Sequence, residues 1–154
     1  MREITSDAIF RLTCVALERT CFVMSEPGGT TATSTLPEAT RFATITYRGP
    51  EHGSIVLAAS EGFVNNLAAG LLGCAPTSTA ARDAGDDALR ELANILVGSV
   101  VRELGGANAP FLIGLPSECD SSSVPRASAI VSVVDAESER LEVHWVRARE
   151  SLAA

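Results

Sequence analysis

Residues 86–104 read DDALRELANILVGSVVREL, the stretch of the chain with the clearest helical period. At about 100° per residue, most of its apolar side chains fall on one side of a helix: Leu89, Leu92, Ala93, Leu96 and Val100. We therefore predict a helix over residues 86–104 that seals one side against a core and stops at Gly105-Gly106. Asp86 and Asp87 begin it, where the helix dipole favours negative charge.

The opposite side of this helix carries Asp87, Glu91, Asn94 and Gly98, spaced by four, three and four residues. These positions form a narrow stripe that should point outward. A glycine inside a helix costs about 1 kcal/mol relative to alanine. Gly98 would let another backbone approach closely, either that of a partner or that of a neighbouring helix. Glu-x-x-Asn alone is a weak signal, because exposed polar side chains are usually only solvated.

Two more helices are predicted, Ser6–Cys21 and Glu61–Leu72, the second capped by Ser60 and ended by Gly73. Residues 77–85 are small and polar, which is typical of a linker.

Alternating apolar and polar residues predict two β-hairpins. The first joins 41–48 to 54–59, and the second joins 127–134 to 140–149. Shorter strands are predicted at 111–115 and near 22–25. This order favours an α+β fold with helices packed on a largely antiparallel sheet, and 154 residues suit a single domain spanning 1–154.

The chain contains a weak internal repeat. Residues 7–14 (DAIFRLTC) align with residues 87–94 (DALRELAN), and each helix is followed by a Leu-Pro pair and a hairpin. Two copies at an offset of about 80 residues suggest a duplicated unit with a pseudo-twofold axis. Chance similarity between two amphipathic helices is the alternative. The first copy has Arg and Cys where the second has Glu91 and Asn94, so only one copy carries this pair.

The charge balance is acidic, with a net charge of -7 and twelve basic residues that are all Arg. An acidic surface without a basic cluster argues against nucleic acid and against anionic membranes as partners. The first residues have no apolar run behind a basic flank, as a secretory signal needs. No stretch approaches the ~20 apolar residues of a membrane span. We therefore expect a soluble, cytoplasmic protein.

The side chains that usually bind metals are few and scattered. The chain has four cysteines and two histidines: Cys14, Cys21, Cys74, Cys119, His52 and His144. Without a Cys-x-x-Cys pair we expect reduced thiols, structural or exposed histidines and no metal or cofactor of the protein's own. The common hydrolase motifs are also absent: Gly-x-Ser-x-Gly, the Walker loop and His-Glu-x-x-His.

Asp87-x3-Glu91-x2-Asn94, followed by Gly98 and Pro116, resembles the signature of the CheC/CheX/FliY phosphatases. Their pattern is Asp or Ser, three residues, Glu, two residues, Asn, and a Pro about 22 residues later. Here 21 residues separate Asn94 from Pro116, one fewer than in the usual pattern.

The resemblance extends over most of the chain, since YRGPEHGSIVLAASEGFVNNLAAGLLG (47–73) is similar to the family's strand–turn–strand–helix unit. CheC-like members usually carry the motif twice, so a single intact motif is more similar to CheX.

This resemblance implies a function: hydrolysis of the acyl phosphate on the aspartate of a CheY-type receiver domain. Asn94 would orient the attacking water, and Glu91 would bind the receiver's active-site lysine. Asp87, Gly98 and Pro116 would support the site. The receiver would supply Mg²⁺, and the protein would be a homodimer. The alternatives are a CheX-like module that binds a receiver or flagellar switch component without catalysis, and an unrelated α+β domain.

Overall fold

The computed structural model of the protein describes residues 3–21, 24–30, 34–105, 110–125 and 129–148. Within these ranges the helices are α1 (Ser6–Cys21), α2 (Glu61–Leu72), α3 (Thr79–Asp83) and α4 (Gly85–Gly105). The strands are β1 (Ser25–Pro27), β2 (Arg41–Arg48), β3 (His52–Ala59), β4 (Leu112–Ile113), β5 (Ser117–Glu118), β6 (Ile130–Ala136) and β7 (Glu139–Ala148). No helix in the described ranges is long and apolar enough to cross a bilayer.

The strands form one antiparallel sheet in the order β1-β6-β7-β3-β2-β4, with β5 also paired to β2. Hairpins β2–β3 and β6–β7 meet where β3 pairs with β7, from His52 opposite Ala148 to Ala59 opposite Leu141. Helices packed on an antiparallel sheet confirm the predicted α+β class.

The helix, the short strand and the hairpin occur twice, and the two sets exchange partners. The short strand β1 follows α1 but pairs with β6, whereas β4 follows α4 but pairs with β2. Helix α1 likewise packs on β6, and α4 packs on β2. This is the arrangement that a duplicated unit with a pseudo-twofold axis predicts, with α2 and α3 between the two copies.

The core lies between the helices and one face of the sheet. The predicted apolar side of α4 is buried there, and Leu89, Leu92 and Ala93 are each at most 1% exposed. From the sheet, alternate residues of β2 and β7 fill the same space, and the Trp145 Nε1–H donates a buried hydrogen bond of 2.9 Å to the Tyr47 hydroxyl. Because α4 is sealed along this side, its remaining side has a fixed orientation.

An ion network on β7 ties the loop before β2 onto the sheet. The Arg140 guanidinium donates to the Pro37 carbonyl at 2.7 Å and to the Glu142 carboxylate at 2.9 Å. The other oxygen of Glu142 is 2.9 Å from His144 Nε2, and His144 is 2% exposed. Hydrogen bonding to His144, followed by the bond from Arg140, lowers the pKa of Glu142.

This lowered pKa makes stability fall in acid. Above the ordinary value of 4.5, Glu142 is ionised in both states and its contribution to the free energy of unfolding is complete. As the pH falls, Glu142 is protonated first in the unfolded chain. Its contribution to stability therefore decreases progressively and is gone once the pH is below the pKa of the folded state. In urea unfolding between about pH 3 and 5, Glu142→Gln should show a shallower pH dependence than the unaltered protein. Parallel curves would contradict this.

Two details of the predicted helices are wrong. Residues 77–85 are not a plain linker, because they contain α3, whose N-cap Ser78 accepts a hydrogen bond from the Ala81 backbone N–H at 3.2 Å. Ser60 is the N-cap of α2 by position, but its side chain makes no capping bond. The Ser60 hydroxyl instead donates to the Glu139 carboxylate at 2.6 Å, because α2 begins against β7.

The strand predicted at 111–115 is reduced to β4, and pairing with β2 resumes in β5, which was not predicted. Pro116 lies between them and lacks the N–H that a continuous ladder needs.

Other bounds shift by a few residues. Helix α4 is one residue longer at each end, β3 begins two residues earlier and β6 ends two residues later than predicted. Residues 22–23, 127–128 and 149, which the sequence assigned to strands, lie outside the described residues.

Candidate functional site

The outward stripe of α4 lies on the solvent side of the helix. Glu91 and Asn94 are exposed, and the Asp87 side chain is 79% exposed. Because Asn94 lies three positions after Glu91, the two residues are about 60° apart around the axis and about 4.5 Å apart along it. A carboxylate and a neutral amide therefore stand side by side on a rigid support.

Neither of these two side chains is bonded to another described residue. In the part of the chain that the structure describes, the Glu91 carboxylate and the Asn94 carboxamide form no hydrogen bond or ion pair. Their polar atoms are thus available to an external molecule. Such a pair can bind a cation and orient a water molecule, but the amide is too weak a base to remove a proton.

Gly98 lies one turn beyond Asn94 on the same side. A Cβ added at Gly98 would meet no described atom within 4 Å. The alternative that this glycine packs against a neighbouring helix is therefore wrong for the described part of the chain. The open space leaves room for an external backbone next to Asn94.

Asp87 is linked to the strand that follows Pro116 through Arg90, a residue that the sequence pattern did not single out. Arg90 forms an ion pair with Asp87 within α4, and its Nη1 donates to the Glu118 carboxylate of β5 at 2.6 Å. Pro116 is half-buried just before β5. The spacing of Asp87 and Arg90 could have indicated the pair within the helix, but no local pattern indicates the contact with Glu118.

The first copy of the repeat offers no equivalent pair. On α1, the exposed Arg11 bonds Glu103 of α4 at 3.2 Å. Cys14 is half-buried, and burial raises the pKa of its thiol. Because an arginine and a protonated thiol replace the carboxylate and amide, the chemistry expected at Glu91 and Asn94 has no counterpart on α1.

The side chains that could bind a metal stay apart in the described ranges. No group of three or more His, Cys, Asp or Glu side chains there could hold a metal ion, and the four cysteines are unbridged. His52 is half-buried, whereas His144 is buried beside Glu142. Neither histidine lies on α4, so this helix contributes no imidazole that could act as an acid or base at the exposed stripe.

A comparison with curated proteins gave no match. Among solved structures, the chain is similar to a chemotaxis protein CheX from Desulfovibrio desulfuricans, with a TM-score of 0.72 and 16% identity over 93% of this chain and 98% of that one. It is also similar to CheX from Vibrio vulnificus, with a TM-score of 0.73 and 14% identity over 92% and 95% of the two chains.

A third similar structure is that of the CheX–CheY–BeF3–Mg²⁺ complex from Borrelia burgdorferi, with a TM-score of 0.72 and 16% identity over 95% of this chain and 99% of that one. At these identities the similarities show a shared fold. The family described as "Chemotaxis phosphatase CheX" matches residues 41–134, which is more than half of the chain and includes the whole of α4. The chain therefore belongs to the CheX family of chemotaxis phosphatases.

Proposed function

We propose that this protein accelerates hydrolysis of the aspartyl phosphate on a CheY-type receiver domain. The observation that carries the proposal is the exposed pair of Glu91 and Asn94, which has no partner in the described chain and stands on a helix sealed to the core. Family membership and the complex of the Borrelia relative with CheY support the same partner.

The reaction needs little covalent chemistry from this chain. A water oxygen attacks phosphorus while the bond from phosphorus to the aspartyl oxygen breaks, and that bond's electron pair stays on the carboxylate. The water protons end on inorganic phosphate or in solvent, and the receiver's aspartate is restored. Mg²⁺ would come with the receiver and neutralise phosphoryl charge. Positioning and electrostatics then supply most of the catalysis.

Asn94 would place the attacking water. Its carboxamide oxygen can accept a hydrogen bond from that water, and the neutral group does not repel the phosphoryl oxygens. This role resembles that of a glutamine that aligns water in a GTPase. Asn94 does not need to act as a base, because the acyl phosphate is already reactive.

The phosphoryl group is negatively charged and would repel the Glu91 carboxylate. Glu91 would therefore bind a cation instead. The receiver's active-site lysine is the cation that we propose. A charge-assisted bond from that lysine to Glu91 would set the register of α4 in the receiver and hold Asn94 at the phosphoryl group. Glu91 would therefore mainly govern docking, and Asn94 mainly the chemical step.

We expect Gly98→Ala to change stability and activity in opposite directions. The new methyl group meets no atom of the described residues, so the protein should gain up to about 1 kcal/mol in free energy of unfolding. The same methyl group would occupy the approach path of the receiver backbone, so a higher receiver concentration should be needed for half-maximal acceleration. Urea unfolding and dephosphorylation rates measure the two effects. A stabilised variant with unaltered receiver dependence would contradict this role.

Salt should strengthen the interaction or leave it nearly unchanged. The protein carries a net charge of -7, and receivers present acidic metal ligands, so long-range attraction is not expected. Calorimetric titration of a receiver bearing BeF3⁻ at rising NaCl concentration measures the effect. An affinity that falls steeply with salt would contradict an account based on short-range fit.

Binding without catalysis is the second candidate function, because the same surface would suit a module that docks on a receiver or flagellar switch component. The decay of a phosphorylated receiver separates the two: a module leaves the rate unaltered although it binds. We further propose a cytoplasmic location, where receivers act, and a homodimer, which sedimentation equilibrium would test.

A further inference from the structure

The segment from β4 to β5 carries the most exposed large apolar side chains of the described residues. Leu115 is 91% exposed and Leu112 is 77% exposed. A partner that covered these leucines would remove their apolar surface from water, which is favourable. Exposed apolar surface next to a functional face commonly marks a contact site.

The segment is nevertheless fixed in place. Ile113 pairs with Tyr47, and the Gly114 N–H donates to the Thr46 carbonyl at 2.8 Å. On the far side of Leu115, Ser117 pairs with Thr44. Leu115 therefore stands on a short loop whose two ends are bonded to β2, so its exposure is a property of an ordered edge.

Arg90 connects this edge to the stripe of α4. Its bond to Glu118 joins the helix to β5. Arg90 precedes Asn94 by four residues, which places it about 40° away around the helix and about 6 Å along it. Glu91 lies about 100° from Arg90, so the edge flanks the Asn94 side of the stripe.

We propose that Arg90 is a positioning residue that holds residues 112–118 beside Asn94, and that Leu115 is an apolar contact for the docked receiver domain. This inference rests on the proposed function. A receiver that brings its phosphoryl group to Asn94 would pass next to this flank of the helix. Because the net charge of -7 offers an acidic partner no long-range attraction, short-range contacts have to supply the affinity, and apolar surface buried at Leu115 would add to the ion pair at Glu91.

The same constellation explains why Asp87 and Pro116 accompany the pair. Asp87 bonds Arg90 from within α4, so it orients the guanidinium that reaches Glu118. Pro116 interrupts pairing between β4 and β5 and thereby makes the loop on which Leu115 stands. An exposed ion pair adds little to stability, so its effect should be on placement.

The test measures how strongly a CheY-type receiver bearing BeF3⁻ and Mg²⁺ binds, and how the rate of receiver dephosphorylation depends on receiver concentration. Leu115→Ala should weaken binding and raise KM by about tenfold, with kcat within about twofold of the unaltered protein. Leu72→Ala is the matched control, because Leu72 is also exposed, at 55%, but lies at the end of α2. It should change neither quantity.

Arg90→Gln should raise KM by about threefold without altering the urea midpoint, and Arg90→Lys should restore most of the loss. If the unaltered protein binds or acts on the receiver, and Leu115→Ala behaves like Leu72→Ala, the inference is wrong and the proposed function stands. An unaltered protein that neither binds nor accelerates decay overturns both. An effect of Arg90→Gln that Arg90→Lys does not reverse overturns the positioning role.

Discussion

Asn94→Ala should abolish most of the acceleration of receiver dephosphorylation, by about 10²-fold or more, because water placement is the main contribution that we assign to this protein. The loss should appear in kcat, with little change in the receiver concentration that gives half-maximal rate. Folding should be intact, since Asn94 is exposed and forms no hydrogen bond with any residue that the structure describes. Alanine is also the better helix former at this position.

A matched control guards against general effects of removing an amide from a helix. Asn66→Ala alters a half-buried asparagine on α2, and it should leave the rate within about twofold of the unaltered protein. Stopped assays with a radiolabelled receiver, at saturating receiver, measure both variants. Equal rates for Asn94→Ala and Asn66→Ala would exclude Asn94 from the chemical step.

Glu91→Lys should weaken the productive complex by about 10²-fold or more, because it puts a cation where the receiver's lysine would dock. Glu91→Gln should lose about 10-fold to 10²-fold, since it keeps the shape and a neutral acceptor but removes the charge from the hydrogen bond. These losses should appear mainly as a raised KM. The concentration dependence of dephosphorylation separates them from the kcat effect of Asn94→Ala.

Glu18→Gln is the matched control for charge removal, because Glu18 is an exposed carboxylate on α1. It alters the net charge by the same amount as Glu91→Gln but should leave KM within about twofold. If both variants shift KM equally, the effect comes from the change in net charge and not from a specific contact of Glu91. A normal KM for Glu91→Lys would rule out the ion pair with the receiver.

The sequence predicted α4 well because one element carries both signals. Its buried side repeats at the helical period, and the same period puts Glu91 and Asn94 on the other side. Burial of Leu92 and exposure of Asn94 follow from one rule, that a helix on a sheet hides a single apolar face. The two hairpins were predictable for the corresponding reason, since alternation with period two shows in the longer strands.

Contacts between distant parts of the chain were not predictable. The bond from Arg90 to Glu118 depends on β5, a strand of two residues that is too short for any period to register. The bond from Arg140 to the Pro37 carbonyl joins residues 103 positions apart. Such contacts depend on which strands become neighbours in the sheet. The local pattern of residues does not predict the order of the strands.

The decay of a phosphorylated CheY-type receiver from the same organism, followed at rising concentrations of this protein, tests the account most directly. We predict a decay rate that rises and saturates with the unaltered protein, and that returns close to spontaneous decay with Asn94→Ala at concentrations where that variant is fully bound. An unaltered protein that binds the receiver but leaves the decay rate at its spontaneous value would contradict the account.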